Sequence, residues 1–171
     1  MDEQYYIAAL PNLSVEFYQA VEDVLRLPCY PEIRLPFHTT LYYLGNLTTQ
    51  QKVSVIEGLH ALELQAFTAK VVGLNFFQTD NFPHTCYLQL DSVYLNELNA
   101  QMAKAFGYIH KDKLAFLPHI SICFPKLAIT TAQLEELEQI LSAVNSIDFK
   151  SIYLGSVIDN VTRINTEFKL K

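Results

Sequence analysis

Two stretches decide how this chain is read: LPFHTTLYYLG at residues 35–45 and FLPHISICF at residues 116–124. Each carries a proline one or two places before a histidine, and a hydroxyl residue two places after it. His38 is followed by Thr40, and His119 by Ser121. The chain holds 8 Ser and 11 Thr among 171 residues, with five His. Two such hits arise by chance roughly one time in ten, so the bare pattern is weak. Its surroundings give it weight.

Each histidine opens an apolar run that reads as a strand, and each run precedes a helix start of the same design. Thr48 with Gln51, and Thr130 with Gln133, fit a capping box, in which Thr satisfies a free backbone N–H and Gln reaches back. Ten residues separate His38 from Thr48, and eleven separate His119 from Thr130. Working outward, residues 4–10, 38–44, 66–77, 84–90 and 119–124 read as strands, and 13–26, 49–63, 92–106 and 131–143 as helices. Gly107 is the expected stop of the third helix. The tail, 147–158 and 162–170, reads as a hairpin turning near Asp159-Asn160. The order is β-α-β-α-β twice, then one further strand. We therefore expect one domain over 1–171 built from an internal repeat, about 1–77 and 84–171.

Successive strand residues point to opposite faces. Strict alternation puts His38, Thr40 and Tyr42 on one face, and His119, Ser121 and Cys123 on one face of the other strand, with Cys123 as a small residue on a cleft floor. Two imidazoles and two hydroxyls around one point suit a phosphodiester. One imidazole accepts a proton while the other donates one, and the hydroxyls steady charge on the non-bridging oxygens.

The paired H-x-[ST] motifs, about eighty residues apart in a chain of this length, resemble the signatures of the 2H phosphoesterase superfamily, with its LigT-like 2′-5′ RNA ligases and cyclic phosphodiesterases. The resemblance spans nearly the whole chain. It implies an α/β (α+β) bilobal, pseudo-symmetric fold, with two antiparallel sheets lining a central cleft and helices outside. It implies His38 and His119 as the acid–base pair, Thr40 and Ser121 on phosphate, and no cofactor. In the RNA-ligase-like branch an Arg often follows the second motif closely; this chain has Cys123-Phe124-Pro125-Lys126. The expected reaction is metal-independent hydrolysis or transfer at a cyclic phosphodiester, a 2′,3′-cyclic phosphate RNA end or a cyclic nucleotide. A 2′-5′ RNA ligase-like enzyme, a cyclic-oligonucleotide phosphodiesterase and a nucleotide-binding module without turnover stay open as alternatives.

Around this core, Tyr42, Phe82, Tyr87 and Phe116 are candidate stacking residues for a base. Arg34 and Lys126 are the cations nearest the motifs, and His84 is a candidate at the cleft edge. His60 and His110 read as solvated. A metal site from His38, His84 and His119 lacks the close ligand spacing such sites use. Cys29, Cys86 and Cys123 suggest neither a disulfide framework nor a zinc site. The net charge of −6 disfavours a groove for long duplex nucleic acid. No apolar run reaches the roughly 18 residues that span a bilayer, and the start MDEQYYIAAL lacks a signal-peptide pattern. These features predict a cytoplasmic monomer with no membrane partner.

Overall fold

The computed structural model describes residues 3–26, 36–79, 82–110, 115–124, 129–159 and 161–171; residues 78, 79 and 82–84 are described by backbone alone. The elements run β1 (Gln4–Pro11), α1 (Val15–Arg26), β2 (Thr39–Gly45), α2 (Thr49–Ala61), β3 (Phe67–Thr79), β4 (Phe82–Asp91), α3 (Val93–Phe106), β5 (His119–Cys123), α4 (Thr131–Ser142), β6 (Ser146–Ile158) and β7 (Val161–Lys169). Both capping boxes are present. The Thr48 hydroxyl accepts from the Gln51 N–H at 3.2 Å, and the Thr130 hydroxyl from the Gln133 N–H at 3.2 Å. Each Gln carbonyl accepts in return from the Thr backbone N–H, at 2.9 and 3.0 Å. Gly107 does end α3, but not through a left-handed conformation: its φ is −61°. A Cβ there would come within 2.5 Å of the Ala103 carbonyl oxygen.

All strand pairings are antiparallel, in the order β2-β1-β6-β3-β4-β5, with β7 on β6. The expected pair of sheets is thus corrected to one seven-stranded sheet. The first four residues of β3 (67–70) pair with residues 146–149 of β6, and that short ladder joins the halves. Each β-α-β-α-β repeat gives its last strand to the other half. β6 pairs with β1, and β3 pairs with β4.

The helices all pack on one face of the sheet. Val21 and Leu25 of α1, Val55 and Leu59 of α2, Leu95, Leu98, Met102 and Phe106 of α3, and Leu137 and Leu141 of α4 join one buried cluster. That cluster takes Tyr5, Ile7 and Ala9 from β1. The intervening Tyr6 and Ala8 form a separate small cluster with Tyr153, to which no helix contributes. Burying each large apolar side chain favours folding by roughly 1.5–3 kcal/mol, so the helices are committed to the first face and the second is left for other uses. The two strands at the ends of the order, β2 and β5, touch each other, so the sheet curls until the motif-bearing strands meet. Contacts across the halves hold this shape. The Asn99 side-chain amide of α3 donates to the Leu41 carbonyl of β2 at 2.8 Å, and Gln133 of α4 donates to the Val24 carbonyl of α1 at 3.2 Å. No helix among the described residues is long and apolar enough to cross a membrane.

Candidate active site

Cross-strand partners share a face of a sheet, so the register shows where each motif residue points. Thr40 pairs with Ala8, whose side chain lies in the helix-free cluster. Tyr42 pairs with Ile7, in the helix-side core. The register slips between these pairs, leaving Leu41 as the extra residue of a β-bulge. The second motif repeats the pattern. Ser121 pairs with Tyr87 and Cys123 with Cys86, with a slip between them at Ile122. Both jaws thus carry a bulge immediately after the hydroxyl residue.

The bulges correct two expectations. Tyr42 does not line the cleft. It is buried on the helix side, and its hydroxyl donates to the His110 carbonyl at 2.5 Å. Cys123 is likewise turned into the core beside Cys86. Hydrogen bonding to Cys123, together with burial, pushes the Cys86 thiol far above its ordinary value, so Cys86 stays protonated. Phe116 is half-buried and packs against the helix-side core. Arg34, Lys126 and the side chains of His84 and Phe82 fall outside the described residues. His60 packs edge-on against Phe168, and His110 edge-on against Tyr43, at 4.8 and 5.2 Å between ring centroids.

The two histidines are held alike. His38 Nδ1 lies 2.9 Å from the Pro36 carbonyl oxygen, and His119 Nδ1 lies 2.7 Å from the Leu117 carbonyl oxygen. A carbonyl can only accept, so Nδ1 carries the hydrogen in both rings. Phe37, stacked on Tyr18 of α1 at 5.0 Å, anchors the first jaw from the core side. The Pro118 carbonyl, accepting from the Leu90 N–H at 3.0 Å, ties down the second.

Aromatic rings wall each imidazole. Tyr6 stacks on His38 at 5.2 Å and 20°, and Tyr153 meets it edge-on at 5.9 Å. Phe77 and Tyr87 meet His119 edge-on at 5.1 and 5.3 Å. Burial holds His119 below the usual imidazole value, against the opposing pull of its bond to the Leu117 carbonyl. Burial, then the neighbouring Tyr6, pushes the Tyr153 hydroxyl well up, so it stays protonated. The sequence reading singled out Tyr87 but missed Tyr6, Tyr153 and Phe77. For Tyr6 a signal existed: alternation through Tyr6, Ala8 and Leu10 opposes the core-facing Tyr5, Ile7 and Ala9.

Among the described residues no group of three or more His, Cys, Asp or Glu is placed to hold a metal. A hollow of about 470 Å³ between β3 and the end of α4 is lined by neither histidine.

Comparison with known proteins places this architecture. No family model and no curated protein sequence matches the chain. Solved structures do. TT0787 of Thermus thermophilus superposes with a TM-score of 0.70 at 15% identity, covering 98% of this chain and 97% of that one. Escherichia coli LigT complexed with 3′-AMP gives 0.70 at 14% identity, covering 100% and 99%. Usb1 of Kluyveromyces marxianus gives 0.60 at 11%, covering 99% and 98%. The chain has the LigT-like α/β fold over its full length, the fold that the two motifs implied.

Proposed function

We propose that the chain is a phosphodiesterase of the two-histidine kind, acting on a cyclic phosphodiester such as a nucleoside 2′,3′-cyclic phosphate or a 2′,3′-cyclic phosphate RNA end. One observation carries the reading. The same unit occurs twice on the helix-free face: a carbonyl-tethered histidine, a hydroxyl two residues on, then a bulge. The strands that bear the two units touch. A core needs no such duplication of polar groups. A symmetric grip on one tetrahedral phosphate accounts for it.

In this reading Thr40 and Ser121 donate hydrogen bonds to the non-bridging oxygens as negative charge builds there. One Nε2 takes a proton from water as the water oxygen bonds to phosphorus. The other Nε2 gives a proton to the ribose oxygen as its bond to phosphorus breaks. The product is a nucleoside monophosphate, and the proton pair is restored through solvent. The likeness to a LigT structure complexed with 3′-AMP supports a substrate of nucleotide chemistry.

The test is turnover of a nucleoside 2′,3′-cyclic phosphate in excess chelator by the wild type and by His38→Ala and His119→Ala. The reading expects turnover in the wild type and loss in both variants. Full activity in either variant contradicts it, and loss of wild-type turnover on chelation points to a metal-dependent reaction instead.

A further inference from the structure

The two jaws match in backbone but differ in their aromatic walls. Beside His38, both rings are buried: Tyr6 is 5% exposed and Tyr153 is 0% exposed. Beside His119, Tyr87 is 4% exposed, but Phe77 is 37% exposed. Phe77 is therefore an open apolar ring in direct contact with an imidazole of the site. Tyr87 lies parallel to it at 4.2 Å and 25°, which covers one face and fixes the orientation of the ring. The amides of Asn75 and Gln89 stand beside this platform. Asn75 Nδ2 donates to Gln89 Oε1 at 3.2 Å, and the two pair in register with Tyr87 and His119 respectively.

We infer that Phe77 is the platform for the aromatic base of the substrate, which places the nucleoside end of the phosphodiester on the His119 side of the cleft. This rests on the phosphodiesterase reading and adds a direction to it. A phenyl ring exposed to this degree is costly in water and gains most by stacking on a planar ligand. Such stacking tolerates any base, because every base has a π face. The neighbouring amides supply hydrogen-bonding groups for the base edge. The competing ring is Tyr43, 36% exposed and paired with Tyr6. Its hydroxyl is taken by Gln4 and its ring meets His110 edge-on, which sets it one step away from the histidines.

The experiment compares kcat/KM on a nucleoside 2′,3′-cyclic phosphate with that on a base-free analogue, glycerol 1,2-cyclic phosphate, for wild type, Phe77→Ala, Phe77→Trp and Tyr43→Ala. The ratio of nucleotide to base-free activity falls roughly tenfold in Phe77→Ala, chiefly through KM, and is kept in Phe77→Trp. An equal loss on both substrates, an unaltered ratio, or a fall confined to Tyr43→Ala overturns the assignment. If the wild type turns over neither compound, the phosphodiesterase reading fails by itself. Calorimetry then decides the platform: Phe77→Ala weakens binding of 3′-AMP about tenfold but not of inorganic phosphate, and equal affinity for 3′-AMP in both proteins rejects it.

Discussion

A histidine moves a proton reliably only when its other ring nitrogen is fixed. The carbonyls of Pro36 and Leu117 do this for His38 and His119. In the proposed reaction each ring moves one proton, so His38→Ala and His119→Ala are each expected to lower kcat by about 10²- to 10⁴-fold, with circular dichroism showing an intact fold. In the same reaction Ser121 donates to the phosphate, so Ser121→Ala is expected to lower kcat by about 10²-fold, more than it raises KM. His119 also links proton binding to stability. Burial depresses its folded-state value below 6.5, so the unfolded chain binds the proton more readily. The stability of the neutral ring is complete above the unfolded value and is lost as pH falls through the folded one. Melting temperature between pH 8 and pH 5 therefore drops further in the wild type than in His119→Phe; parallel curves contradict this.

At the scale of elements, sequence alone identified the helices, strands and caps because each rests on local chemistry. The Thr48 and Thr130 caps are an example: Thr130→Ala costs about 1 kcal/mol in urea denaturation. The bulges were not legible. Leu41 and Ile122 look like any strand residue, and nothing local announces that each is skipped by its neighbour. One skipped residue turns Tyr42 and Cys123 from the cleft into the core. In the aromatic wall of His38, Tyr153 was hidden for a related reason, since a tyrosine on a strand reads as core. Gly155 shows how that wall is built. A Cβ there would lie 2.6 Å from Tyr153 Cε2 and 2.8 Å from Tyr6 Cζ. Gly155→Ala therefore displaces both rings from His38, lowering stability by about 1–3 kcal/mol and kcat with it. A stability loss with kcat intact would show that the rings do not position His38.

Across the whole molecule, the order of elements was legible because the motifs and caps mark it out twice along the chain. The exchange of β3 and β6 between the halves was not, because strand pairing is non-local and either partner presents the same apolar alternation. That exchange binds the halves into one sheet and brings β2 against β5. In the proposed function this closure makes one phosphate site from two motifs. The most direct measurement is a crystal structure with phosphate or a nucleoside 3′-monophosphate bound. The expected result is one phosphorus centre between the jaws, its oxygens within hydrogen-bond distance of Thr40 Oγ1, Ser121 Oγ and Nε2 of both His38 and His119. A phosphate held by one jaw alone, or bound elsewhere on the molecule, would contradict it.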